Sequence, residues 1–173
     1  AGYSYMIGHP GKKLLFMGQD FGQYQEWSEE RELDWYLLGE QNHQQLQNYV
    51  KELLKMYKKY PALYANDSNY QGLEWINADD ASRSIYSFVR WSPTGRNNLL
   101  FVINYTPVAR DDYRVGVPKR KQYKLILNSK EPEFGGDVHK EVVDYKAVKK
   151  ECDGRPFSLA YPLPAYGVAV FRF

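Results

Sequence analysis

Apolar and polar positions change rhythm along this chain. Leu14-Leu15-Phe16-Met17 is an unbroken apolar run closed by Gly18. That is the pattern of a short strand covered on both faces, as in a parallel sheet. A polar loop follows, with Gln19, Asp20, Glu26, Glu29, Glu30 and Glu32 close together and Tyr24 and Trp27 among them. From residue 41 to 60 the apolar spacing becomes helical. Leu46, Tyr49, Val50, Leu53, Leu54 and Tyr57 line one face, Asn42 is the expected N-cap, and Pro61 stops the run. Lys51, Lys55, Lys58 and Lys59 fall mostly off that face and gather toward the helix end, where they suit the negative pole of its dipole. They read as a solvated face, with an anionic partner as the alternative.

Beyond residue 70 the pattern is β. Strands are expected at Gly72–Ile76, Ser84–Trp91, Leu99–Tyr105, Lys121–Leu127, Phe157–Tyr161 and Gly167–Phe173, with turn-forming residues between them. Short strands punctuated in this way predict a C-terminal antiparallel β-sandwich. The chain therefore reads as mainly β, preceded by one strand and one helix, with a boundary near residues 64–71. A buried strand of the first kind belongs inside a larger sheet, which the sequence before it does not supply.

Composition narrows the function classes. With 43% hydrophobic and 25% charged residues the chain should bury a core. Its 16 Tyr and 4 Trp offer faces that stack on sugars or bases, although all-β domains favour aromatic residues in any case. The net charge of +2 is dispersed apart from Lys119-Arg120-Lys121, which reads as a solvated turn, so no nucleic-acid partner is expected. Cys152 stands alone, and His9, His43 and His139 are far apart, so neither a disulfide framework nor a metal site is expected, and no cofactor. Neither a membrane span nor a signal peptide is visible, which favours a cytoplasmic setting. The acidic loop offers carboxylates but no spacing that identifies an acid/base pair, and no phosphate-binding loop, nucleophile elbow or dinucleotide fingerprint occurs.

Several longer motifs bring in a family. His9 to Gly18, Leu33-Asp34-Trp35, Gly72-Leu73-Glu74-Trp75-Ile76, the run from Asn104 to Pro118, Leu127-Asn128-Ser129 and Phe134-Gly135-Gly136 occur in one order. Together they resemble the C-terminal part of the 1,4-α-glucan (glycogen) branching enzymes of the α-amylase superfamily. The resemblance implies that residues 1–66 are the last strand and helix of a truncated (β/α)8 barrel and 67–173 an all-β C-terminal domain. It implies a parent enzyme that cuts α-1,4 links and re-forms them as α-1,6 branches through a covalent glycosyl intermediate, using a carboxylate nucleophile and a carboxylic acid. In the family those acids follow earlier barrel strands, so the resemblance assigns no catalytic residue within this chain, and the chain alone is expected to be inactive. Relatives commonly carry Asn-Glu-Phe after the strand glycine, where Gln19-Asp20-Phe21 stands here; the shorter Asp would lengthen any hydrogen bond made by that Glu.

On this reading Gln19, Asp20, Glu26 and Trp27 would sit at the catalytic face of the barrel and position α-glucan, the expected substrate partner. Trp75, Trp91 and Tyr105 are candidates for a remote glucan surface, with core packing as the alternative. The other expected partner is the remainder of the barrel. A lone barrel strand would expose backbone and apolar faces, so residues 12–17 should be disordered, pack back on the sandwich, or pair with a second copy as a dimer. A different class of function is a stand-alone carbohydrate-binding or interaction module, which would have no use for the His9–Gly18 strand.

Overall fold

A computed structural model describes residues 1–139 and 142–173. Two helices, α1 (Gly2–Gly8) and α2 (Gln41–Lys59), precede eight strands: β1 (Leu73–Asn77), β2 (Ile85–Arg90), β3 (Leu99–Asn104), β4 (Arg110–Val117), β5 (Gln122–Asn128), β6 (Asp144–Lys146), β7 (Phe157–Leu163) and β8 (Val168–Arg172). Six of them form one sheet in the order β1-β2-β3-β8-β5-β6, and β4 and β7 pair as a second. Every pairing is antiparallel.

Strand β3 shows why the larger sheet needs cover on both sides. All its residues are buried. Leu100 and Val102 point into a core shared with Val115 and Val117 of β4 and Leu159, Tyr161 and Leu163 of β7. Leu99, Phe101 and Ile103 point the other way, against Ile7 of α1 and Tyr49, Leu53 and Met56 of α2. The period-2 alternation of a strand divides its side chains between two cores. The expected sandwich is thus present, with a second sheet of only two strands, and both helices close the opposite face of the first.

The predicted strand at Leu14–Met17 is not formed. Residues 12–16 lie outside helix and strand, between Gly11 and Gly18, both at positive φ. Leu14 is 72% exposed, and Phe16 and Met17 are nearly half exposed. An apolar run carries the signature of a buried strand, but strand pairing requires neighbours with free backbone groups, and the six-stranded sheet runs elsewhere. None of Leu14, Leu15, Phe16 and Met17 joins either core; Phe16 meets Trp27 edge to face at 5.5 Å, and Lys13 lies 5.5 Å from the Tyr57 ring.

Helix α2 matches its prediction, with two corrections. Glu40, not Asn42, holds the N-cap position. Met56 is buried and Leu54 is 41% exposed, so the buried face is rotated slightly from the one the spacing suggested. Helix α1 went unpredicted because glycine at both ends gives poor helix propensity. Packing supplies what propensity does not: Ile7 enters the core, and Gly8 sits so close to the sheet that a Cβ there would lie 2.8 Å from Phe101.

Candidate functional site

The loop behind Gly18 is built as a rigid support. Gly18 and Gly22 both take positive φ, and a side chain at Gly18 would strike Gln23. Phe21 is fully buried, 5.3 Å from the Trp35 ring. His43 on α2 joins its Nδ1 to the Phe21 carbonyl at 2.7 Å and its Nε2 to the Tyr24 hydroxyl at 3.0 Å, with the Tyr24 ring edge-on at 4.9 Å. The backbone N–H of Asp34 donates to Gln23 Oε1 at 2.9 Å. Arg31 donates to Gln25 Oε1 and to the Glu26 carbonyl. Tied to α2 in this way, the loop keeps its shape without a sheet beneath it.

A cleft of about 270 Å³ opens on this support. Gln19, Glu26 and Trp27 line it, together with Phe16, Gln23 and Tyr24. Trp27 is half exposed and Tyr24 is 69% exposed, so aromatic surface is offered to solvent beside the Glu26 carboxylate. Gln19 is committed at one end: its side-chain oxygen accepts from the Phe16 N–H at 3.0 Å, and its carbonyl accepts from the Tyr3 hydroxyl at 2.8 Å. Asp20 is not among the lining residues. It lies beside Tyr3, whose phenol is pushed up by burial and then by the Asp20 charge. The structure thus brings together three of the four rim candidates and adds Phe16 and Tyr24. In the sequence Tyr24 is marked only as an aromatic in a polar loop, and Phe16 only as part of an apolar run.

Trp75, Trp91 and Tyr105 do not share a surface. Trp75 packs toward the helices, 5.3 Å from Phe88. Trp91 packs on the opposite core, donates its indole N–H to Glu74 at 2.9 Å, and has Lys119 5.1 Å above its ring and Phe173 at its edge. Tyr105 meets Tyr86 edge to face at 5.7 Å.

The longer motifs prove to be joints of the fold. Asn104 is fully buried and uses its whole side chain: its amide donates to Val108 and Pro164 carbonyls, and its oxygen accepts from the N–H and hydroxyl of Thr106. Glu74 takes both Trp91 and Arg155. Asn128 accepts from the Lys130 N–H, Ser129 is bonded to Val168, and Phe134 rests on Tyr49. Gly136 could carry no side chain, since a Cβ would lie 2.0 Å from the Lys130 carbonyl.

The geometry defines an antiparallel, mainly β class of domain, with a two-stranded sheet on one face of its larger sheet and two helices on the other. Residues 75–173 match the family model described as the alpha amylase C-terminal all-beta domain, and the chain belongs to that family. It is 52% identical over 172 residues to the 1,4-alpha-glucan branching enzyme GlgB of Butyrivibrio fibrisolvens, covering 99% of this chain and 27% of that protein. The GlgB of Bacillus caldolyticus is 40% identical over 98% of this chain and 26% of its own length. That of Pseudomonas putida is 41% identical over 98% of this chain and 23% of its own length. The chain therefore spans about a quarter of the length of these curated relatives. Among solved structures, isomaltulose synthase from Erwinia rhapontici NX5 aligns with 73% of this chain and 17% of its own at 18% identity and a TM-score of 0.44. No described helix is long and apolar enough to cross a membrane.

Proposed function

We propose that this chain works as the C-terminal part of a 1,4-α-glucan branching enzyme, which cleaves α-1,4 links and re-forms them as α-1,6 branches in glycogen synthesis. The observation that carries the reading is the 52% identity with a branching enzyme across 172 residues. The substrate is an α-glucan, the setting cytoplasmic, and the catalytic carboxylates belong to a barrel outside these residues. Residues 1–66 form the edge of that barrel and 67–173 the all-β domain that buttresses it. The exposed side chains of Leu14, Phe16 and Met17 support this division, because they leave apolar surface for the remainder of the barrel to cover. A second copy of the chain is the competing cover.

At the rim, Trp27 stacks on a glucose ring while Glu26 and Gln19 bind its hydroxyls, with Asp20 acting behind them through Tyr3. The half-exposed indole beside a carboxylate favours this role, since a sugar ring presents both an apolar face and hydroxyls.

A chimera tests the reading. The matching segment of the Butyrivibrio enzyme is replaced with this chain, and branch formation on amylose is measured beside the isolated chain. The chimera should branch amylose and the isolated chain should not. A folded but inactive chimera would overturn the proposal, as would branching by the isolated chain. Retention of the isolated chain on glycogen, with a folded chimera that does not branch, would favour a stand-alone carbohydrate-binding module.

A further inference from the structure

The C-terminal half of α2 and strand β5 enclose a cleft of about 430 Å³, within the roughly 300–1,000 Å³ usual for small-molecule sites. Its floor is apolar, with Met56 and Tyr60 almost fully buried. Its walls carry Lys55 and Lys59 from the helix and Lys124 from the strand, against a single lining carboxylate, Glu52. Lys55 and Lys59 stand one helical turn apart, where like charges repel. Lys55 is 3.4 Å from Glu52 at an exposed position. Lys124 forms no ion pair among the described residues, although Asp144 is opposite it on β6.

Attraction to the carbonyl end of α2 accounts for Lys58 and Lys59. It does not account for Lys55, a turn earlier, or for Lys124, which arrives from the sheet. The positive character also continues along the same strand pair. Gln122 faces Lys146 two residues from Lys124, and these two line a further hollow with Arg120, Lys121 and one carboxylate, Asp144. Cations from two elements distant in sequence, gathered at an apolar hollow, repel one another until an anion of several charges lies between them. Lysine supplies compact point charges suited to phosphate oxygens.

We propose that the cleft between α2 and β5 binds an anion carrying at least two phosphate groups, either a free oligophosphate or the phosphate chain of a nucleotide. The site is separate from the aromatic cleft around Trp27 and takes a different class of ligand.

The test is calorimetric titration of the full chain at low salt with tripolyphosphate and, separately, with ATP. One saturable site is expected, and Lys55→Gln/Lys59→Gln/Lys124→Gln should weaken binding by at least about tenfold. A control, Lys12→Gln/Lys58→Gln/Lys149→Gln, removes the same charge elsewhere and should bind as the parent does. Without ligand the first triple variant should stay folded and melt close to the parent, because all three replaced side chains are exposed and the lost repulsion offsets the lost Lys55–Glu52 pair and the lost attraction of Lys59 to the helix end; this separates lost binding from lost folding. Equal affinity for both probes assigns the site to the phosphate chain, and tighter ATP binding places the base on the Met56–Tyr60 floor; both support the proposal. Absence of saturable binding, or equal weakening by both triple variants, overturns it.

Discussion

Arg90, at the end of a central strand and fully buried, is ion-paired with Asp67 at 2.5 Å. The same guanidinium donates to the Gly8 carbonyl at 2.6 Å and the Gly72 carbonyl at 2.9 Å, and the far oxygen of Asp67 accepts from the Gly11 N–H. One side chain therefore ties the end of α1, the entry to β1 and the loop before it to the sheet. Burial holds the Arg90 pKa below its usual value, and Asp67 works against that shift.

Asp67→Ala should be among the most damaging single changes in the chain. It leaves the Arg90 charge buried with only carbonyls for partners, a class of change that costs about 3–5 kcal/mol. Urea unfolding at low and high salt measures this. The loss should be nearly independent of salt, because a buried pair is poorly screened.

Gly8→Ala should destabilise by about 1–3 kcal/mol through overpacking. The added methyl would lie 2.8 Å from Phe101 and 2.9 Å from Phe88, two rings stacked at 4.9 Å inside the core. Phe101→Leu in the same background should restore part of the loss, and thermal unfolding of the two single variants and the double variant reads that coupling.

Alkaline pH should unfold the chain in a defined window. Burial raises the Tyr49 phenol from 10.0 to about 12, against the hydrogen bond from Ser4. A raised folded-state pKa gives stability that is complete below pH 10 and is lost as pH rises toward 12. Burial pushes Tyr113, Tyr123 and Tyr161 in the same direction. Tyrosinate absorbance and circular dichroism followed together should change in one step. Tyr49→Phe should flatten the early part of the loss, while costing about 1 kcal/mol at neutral pH for the hydrogen bond.

Two tryptophans should respond in opposite ways. Trp27→Ala should leave stability within about 0.5 kcal/mol and reduce retention of the chain on glycogen-containing native gels. Trp91→Ala should instead lower the melting temperature, because its ring lies between Lys119 and Phe173 and its N–H satisfies Glu74. Unchanged retention by Trp27→Ala would remove that residue from the rim.

Much of the β domain was legible because β2, β3 and β8 carry dense apolar runs whose only stable form here is a strand covered on both faces. Strand β4 is hard to read in the sequence because it opens on Arg110, Asp111 and Asp112, and only Tyr113, Val115 and Val117 in its second half alternate. Strand β6 has only three residues and no apolar pattern to detect.

By itself the sequence determined α2 and the strands β1, β2, β3, β5, β7 and β8, because burial imposes a period of two or of 3.6 on apolar residues wherever they fall. It also pointed to the family, through motifs that follow one another in one order along the chain. Only the tertiary structure decided the fate of Leu14–Met17, the separation of Trp75 from Trp91, and the meeting of Gln19 with Trp27. Each depends on which distant segment lies alongside, and a local pattern states what a residue needs without naming the neighbour that supplies it.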